Sequence, residues 1–329
     1  MVHEIWKAYP EVEAGLEQVK AIIKSEMVVL HPDVKEKIDQ YIDAPGKYLR
    51  AGLCLFLARE TEGQIVPAKL YFAAHLEVLH LATLIHDDVI DQADYRRGIQ
   101  AAHIQFSNRI AIYAGDYLLA YAGRLLAQGL RQLDLEEKDV HLAHHKIVEW
   151  ILRGELEQLL NAYNVNMTPR AYLKQIQGKT ASLFGYAYQL GLFYPGQSLS
   201  HARQAYRAGR DLGMAFQIRD DLIDYKLDLS ESGKPGLQDV QNGIYTLPLL
   251  LALQDNEDLA ADFEELVNES SPEKFTDLHQ KILATSALER TEIILNQYLD
   301  RSSRHLRKLS PQAADSVNAF LGDFFHKYF

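Results

Sequence analysis

The chain carries one acidic pentad twice, Asp87-Asp88-Val89-Ile90-Asp91 and Asp220-Asp221-Leu222-Ile223-Asp224. Each follows a mainly apolar stretch, Leu76 to Ile85 before the first and Leu212 to Ile218 before the second. A helix advances about 100° per residue, so positions i, i+1 and i+4 fall within about a third of its circumference. Each pentad therefore puts three carboxylates on one helix face. A single face of this kind is ordinarily a solvated surface. Two of them in apolar surroundings demand compensating charge, because a carboxylate withdrawn from water is costly unless paired. Hard oxygen donors suit Mg²⁺, which takes one or two carboxylates, keeps several waters and bridges to substrate phosphates.

Elsewhere apolar residues recur at three- and four-residue spacing, as in Leu53, Leu55, Phe56 and Leu57 after Leu49. No region alternates like a half-buried strand, so the expected fold is all-α. The pairs Thr168-Pro169, Ser271-Pro272 and Ser310-Pro311 fit an N-cap followed by proline in the first turn. The pattern predicts helices over about 3 to 28, 33 to 43, 47 to 61, 66 to 93, 106 to 131, 136 to 164, 169 to 191, 197 to 227 and 243 to 254, with several more beyond. Both pentads then lie near helix C-termini, whose partial negative charge adds to the demand for cations. Basic residues follow each, in Tyr95-Arg96-Arg97-Gly98 and in Ser232-Gly233-Lys234-Pro235-Gly236. Arginine's fork matches phosphate oxygens and lysine supplies a mobile point charge, so carboxylates, metal and cations together describe a diphosphate site.

No Pro/Gly/Ser-rich linker divides the 329 residues, and 1–329 is expected to form a single domain. A net charge of −11 argues against a nucleic-acid partner, which needs clustered Lys and Arg. Cys54 is the only cysteine and the first residues lack a signal-peptide pattern, so a reducing cytoplasm is expected. No uninterrupted apolar run approaches the ~18 residues of a transmembrane segment. Gly178-Lys179-Thr180 shares the tail of a phosphate-binding P-loop, but Leu173 replaces its first glycine and no strand precedes it. His141, His144 and His145 lack a carboxylate pair or cysteine at ligand spacing and fit a surface helix.

The chain resembles the trans-isoprenyl diphosphate synthase, or polyprenyl synthetase, family. Asp87 to Gly98 resembles its first aspartate-rich motif with the trailing Arg-Arg-Gly, and Gln217 to Asp224 resembles the second. Gly233-Lys234-Pro235, Asp239 and Thr246-Leu247-Pro248 continue the second signature. Gly46-Lys47-Tyr48-Leu49-Arg50 resembles the homoallylic diphosphate loop, His80 stands seven residues before Asp87, and Gly178-Lys179-Thr180 resembles the family's Lys-Thr pair. The chain departs from the pattern at Ala51, where a proline is common, and at Ile244, where a lysine often contacts diphosphate.

The resemblance implies an all-α isoprenoid synthase bundle with a central active-site cavity, working as a homodimer or with an unlike partner chain. It implies Mg²⁺, three ions, held by Asp87, Asp91 and Asp220, with Asp88, Asp221 and Asp224 as further ligands or holding metal-bound water. An allylic diphosphate gripped there ionises, and isopentenyl diphosphate held by Lys47, Arg50, His80 and Arg97 attacks the resulting cation. Lys179, Thr180 and Gln217 face the cation or its diphosphate, and Arg96 and Lys234 serve the diphosphate clamp. Ala82 and Thr83, one turn before Asp87, are small, and Val78 and Leu79 lie one turn deeper. An open pocket there implies a product beyond about twenty carbons. A bulky Tyr113 or Tyr117 acting as floor would instead give geranylgeranyl or farnesyl diphosphate. A terpene cyclase or squalene-synthase-like enzyme shares fold and metal chemistry but has no use for the second basic set.

Overall fold

The computed structural model describes residues 3–29, 31–139, 144–226, 237–268 and 271–328. A 3-10 turn at Glu4–Ala8 precedes α1 (Pro10–Glu26), and Pro10 in its first turn divides what the periodicity read as one helix. Then come α2 (Pro32–Asp43), α3 (Leu49–Glu62), α4 (Pro67–Ile90), strands β1 (Tyr95–Arg96) and β2 (Ile99–Gln100), α5 (Ala102–Gln105) and α6 (Asn108–Arg131). Of the helix expected over 136 to 164, α7 (His144–Leu160) is described, with a 3-10 turn at Glu137–Asp139 standing where its start was expected. The helix expected over 169 to 191 is α8 (Pro169–Ile176), a π-helical turn at Gln177–Ala181 and α9 (Ser182–Gly191). After α10 (Leu199–Lys226) helices run over Gln238–Gln241, Leu247–Asp255, Glu257–Asn268, Pro272–Leu283, Ala287–Arg307 and Pro311–Tyr328.

The Ser/Thr-Pro pairs cap as their chemistry requires. Thr168 Oγ1 accepts from Ala171 N at 3.2 Å, Ser271 Oγ from Lys274 N at 3.3 Å and Ser310 Oγ from Ala313 N at 3.2 Å. Each satisfies a backbone N–H that the first turn leaves orphaned. The expected all-α fold holds, the one β1–β2 hairpin among the described residues being unanticipated.

The chain divides into two compact units, each assembled from separate stretches. The first comprises 1–148, 186–206 and 307–324, the second 149–185, 207–306 and 325–329. At the heart of the first lies α4, packed by α6, α3 and α1. It is the one helix among the described residues long and apolar enough to cross a membrane, and 72% of that window is buried inside the protein, as a core helix requires. Near its start Lys69, itself buried, donates to the carbonyls of Leu190, Gly191 and Phe193 at 3.1, 2.8 and 2.6 Å and pairs with Glu62 at 2.9 Å. One ammonium thus closes the C-terminal end of α9, and its contacts offset the desolvation that pushes its pKa down. The second unit centres on an apolar cluster including Tyr172, Ile176, Ile218, Tyr225, Leu250, Phe263 and Ile282.

Two measurements test this core. Lys69→Met leaves the three buried carbonyls without their donor, and urea unfolding is expected to show a loss of about 3 kcal/mol or more. His75 is fully buried, and burial, with His144 beside it, pushes its imidazole down to about 3. An unfolded histidine titrates near 6.5, so between those values the unfolded state binds the extra proton. Stability is therefore full above about pH 6.5 and falls on acidification by up to about 1.4 kcal/mol per pH unit from this group. The drop in Tm from pH 7 to pH 5 is expected to be smaller in His75→Asn.

Candidate active site

In the first unit the opening pentad occupies the last turn of α4. Asp91 is the C-cap, its N–H donating to the Asp87 carbonyl at 2.8 Å. Its side chain is exposed, and Asp87 is half-buried. Asp88, about 100° further round the helix, is turned into the protein and is 1% exposed. Its carboxylate accepts from Arg96 Nε at 2.7 Å and Nη2 at 2.6 Å, and from the Tyr41 hydroxyl at 3.3 Å. Burial holds the Tyr41 phenol up at about 12, so it remains a donor, and its oxygen accepts in turn from Ala102 N at 2.8 Å. Asp88 thus fastens the hairpin and the start of α5 to the helix that carries Asp87 and Asp91.

The hairpin pairs Tyr95 with Gln100 and Arg96 with Ile99, leaving Arg97 and Gly98 as its two-residue turn. Both have positive φ, 51° and 79°, as a type I′ turn requires. The turn lays the Arg97 guanidinium on Gly46, where a Cβ would stand 2.5 Å from Nη1. The homoallylic-loop residues and Arg97 are thereby brought together. Lys47 Nζ lies 5.2 Å from the centre of the Phe324 ring, and Arg50 Nη1 lies 3.1 Å from His80 Nε2. Burial and the charges of Arg50, Arg97 and Arg96 push the His80 imidazole well below its usual range. Arginine only donates, so Nε2 is the acceptor and Nδ1 of this neutral ring carries the proton. Three cations and a neutral donor gathered in this way favour a polyanion.

In the second unit the matching residue is Asp221, 5% exposed. Gln217 Nε2 donates to its Oδ1 at 2.8 Å, and the Tyr172 hydroxyl makes a short bond to its Oδ2. Thr180 Oγ1 donates to Gln217 Oε1 at 2.6 Å, extending the chain of hydrogen bonds into the π-helical turn. Burial drives the Asp221 carboxyl up to about 7, against the pull of its two donors. Asp224 Oδ2 accepts from Asp239 N at 3.3 Å, and burial, then Asp224, raises the Asp239 carboxyl to about 6. Lys179 pulls Asp239 back down and pairs with Glu155 at 2.8 Å. Asp220 is half-buried on the same last stretch of α10. Gly178 and Gly154 let the π-helical turn meet α7 backbone to backbone, since a Cβ on Gly154 would come 2.2 Å from Lys179 N. Four acidic residues, Asp220, Asp221, Asp224 and Asp239, thus gather at this end of α10.

The carboxyl oxygens of Asp88 and Asp221 are therefore taken up by tyrosine, arginine and glutamine donors. Tyr41, Tyr172 and Glu155 escaped the sequence reading, each being far along the chain from its partner. Lys234, with the loop from Ser232 to Gly236, and His141 lie outside the described residues. His144 is half-buried and turns in to meet His75 edge-on at 5.3 Å between ring centres, which corrects its surface assignment, while His145 is exposed. Along α4, Val78, Leu79 and Ala82 are fully buried and Thr83 Oγ1 donates to the His80 carbonyl at 2.8 Å. Neither tyrosine makes a buried floor: Tyr113 is 75% exposed, and the half-buried Tyr117 engages the backbone N and O of Val28 at 3.0 and 2.8 Å.

Residues 31–284 match the polyprenyl synthetase family. The chain belongs to that family. It is 34% identical over 261 residues to heptaprenyl diphosphate synthase component 2 of Geobacillus stearothermophilus, covering 79% of each chain. A decaprenyl diphosphate synthase structure from Rhodobacter capsulatus superposes with a TM-score of 0.82 at 29% identity, over 97% of this chain and 98% of that one. A polyprenyl synthase from Caulobacter crescentus, complexed with calcium and isoprenyl diphosphate, gives 0.81 at 27% identity over 97% of each chain. The fold is the all-α isoprenoid synthase fold, and the protein is a prenyltransferase.

Removing the Tyr172 hydroxyl tests the second anchor. Tyr172→Phe leaves a buried carboxylate oxygen without a donor and is expected to lower stability to urea by about 1–3 kcal/mol.

Proposed function

We propose that this polyprenyl synthetase condenses isopentenyl diphosphate head-to-tail with an allylic diphosphate, giving an all-trans product longer than about twenty carbons. The observation that carries the reading is the cluster of Lys47, Arg50, Arg97 and neutral His80 in the same unit as a carboxylate-bearing helix end. A cyclase has no second diphosphate to hold and no use for such a cluster.

Asp87 and Asp91 would offer hard oxygen donors to Mg²⁺, as would Asp220, and the reading takes three ions in all. Among the described residues no three carboxylate, imidazole or thiolate groups converge as a closed metal site. Mg²⁺ typically draws one or two ligands from protein and the rest from water and diphosphate. When bound, Mg²⁺ supplies charge neutralisation of the diphosphate as a leaving group. Asp88 and Asp221, their oxygens already bonded, hold the helix ends that carry the ligands, and Asp224 steadies the Asp239 backbone. Arg96 and Lys179 are assigned to the allylic diphosphate for their charge, and Thr180 and Gln217 to the allylic cation for their oxygens. As the allylic C–O bond breaks, its electron pair leaves with the diphosphate. The double bond of isopentenyl diphosphate, oriented by Lys47, Arg50, His80 and Arg97, then forms the new C–C bond. The proton released from its C2 passes to the departed diphosphate.

Small Ala82 and Thr83 above Val78 and Leu79 favour continued growth, in keeping with the heptaprenyl and decaprenyl synthases the chain is similar to. Exposed apolar side chains favour a homodimer: Ile110, Ile112 and Tyr113 on α6 in one unit, and Leu152, Leu156, Leu159 and Leu160 on α7 in the other. The reading takes 1–329 as one synthase domain, and the buried single cysteine fits a reducing cytoplasm. A second reading, in which an unlike chain completes the enzyme, draws on the word component in the name of the Geobacillus relative.

Purified protein with Mg²⁺, radiolabelled isopentenyl diphosphate and geranyl, farnesyl or geranylgeranyl diphosphate tests this by chromatography of dephosphorylated products. Chains beyond twenty carbons are expected, shortened in Ala82→Phe, with turnover in Asp87→Asn down by about 100-fold or more. A stop at fifteen or twenty carbons in the wild type overturns the length reading, and no incorporation overturns the self-sufficient enzyme.

A further inference from the structure

Glu77 is a buried carboxylate, 6% exposed, on the helix that also carries His80 and Asp87. It stands eleven residues before Asp88, three turns at about 3.6 residues each, so the two side chains share one face of α4. The hairpin offers that face two consecutive arginines. Arg96 reaches Asp88 with two nitrogens. Arg97 lines a small pocket with Glu77 and Tyr48, closed by Ile23, Tyr41 and Leu81. Its guanidinium is backed by Gly46, where no side chain larger than hydrogen fits. We propose that Glu77, acting by its charge across this pocket, is a positioning residue of Arg97 and thereby orients the guanidinium that receives the homoallylic diphosphate.

The inference deepens the proposed function and rests on it. A carboxylate set among the cations of a diphosphate site repels the substrate, so on charge alone it weakens binding. Its presence is accounted for if the orientation it imposes outweighs that repulsion, because a guanidinium held in one geometry loses less freedom when it grips phosphate. Burial pushes the Glu77 carboxyl up, while Arg97 first, then Arg50 and Lys20, pull it back toward the charged form. Lys20, itself buried with its ammonium 5.2 Å from the Tyr48 ring centre, closes this environment from α1.

Charge and position predict opposite signs for Glu77→Gln, which removes the charge and keeps the shape. Steady-state kinetics of the full-length enzyme are expected to show KM for isopentenyl diphosphate raised roughly ten-fold, with KM for the allylic diphosphate within about two-fold of wild type. Glu77→Asp is expected to fall between. Calorimetric titration of isopentenyl diphosphate in EDTA is expected to show the same weakening without turnover. Gly46→Ala, which drives a methyl into the Arg97 guanidinium, tests with Glu77 intact that binding depends on where Arg97 sits, and Glu77→Asp, which keeps the charge and shifts its position, decides the role of Glu77 if Glu77→Gln does not fold. Tighter or unchanged binding in Glu77→Gln, or equal loss for both substrates, overturns the proposal. A wild type that binds isopentenyl diphosphate but forms no product overturns the proposed function, while the titrations still decide the role of Glu77.

Discussion

A buried carboxyl group must be given hydrogen-bond partners, and in both pentads a tyrosine from another helix provides one. Tyr41 on α2 reaches Asp88, and Tyr172 on α8 reaches Asp221. The rest of each half-site follows from these bonds. An aspartate at position i fixes the rotation of its own helix, and with it the direction of its neighbours at i−1 and i+3. Asp87 and Asp91, and Asp220 and Asp224, are aimed because Asp88 and Asp221 are tied. The second donors extend the tie further: Arg96 brings in the hairpin, and Gln217 brings in Thr180. Substituting either buried aspartate with alanine would therefore loosen more than one ligand.

Charge is arranged locally against the average of the chain. The net charge is −11, yet the substrates of the proposed reaction are two diphosphates. The first unit resolves the conflict by bringing Arg97 onto the loop of Lys47 and Arg50, beside a histidine kept neutral by burial and by the charges of Arg50, Arg97 and Arg96. A second acidic surplus sits at Asp220, Asp221, Asp224 and Asp239, where burial raises two of the carboxyls. That surplus lowers the cost of assembling divalent cations with a polyanion, because each carboxylate offsets charge the cation brings.

Much of this was legible in the sequence, for identifiable reasons. Helices announce themselves through period and capping, and Thr168, Ser271 and Ser310 cap where the Pro pairs said they would. The pentads were readable because i, i+1, i+4 is a geometric statement about a helix. What could not be read depends on contacts between distant segments. Asp221 and Tyr172 are separated by 49 positions, and nothing local distinguishes an aspartate that is anchored from one that is exposed. The β1–β2 hairpin was hidden because its turn is Arg-Gly rather than the Asn-Gly or Asp-Gly that signals a type I′ turn. His144 read as surface because its inward partner, His75, stands far back in α4.

The π-helical turn at Gln177–Ala181 carries a constraint of another kind. Such a turn holds one residue more than an α-helix needs, so its integrity is a matter of counting. Losing any single residue between Ile176 and Ser182 lets the segment relax into an ordinary helix, turning everything on one side by about 100° against the other. Thr180 would then no longer face Gln217, although every remaining side chain kept its chemical character. Descent should accordingly purge insertions and deletions here as strictly as it keeps Gly178, Lys179 and Thr180, so that the length of the stretch is inherited along with its letters.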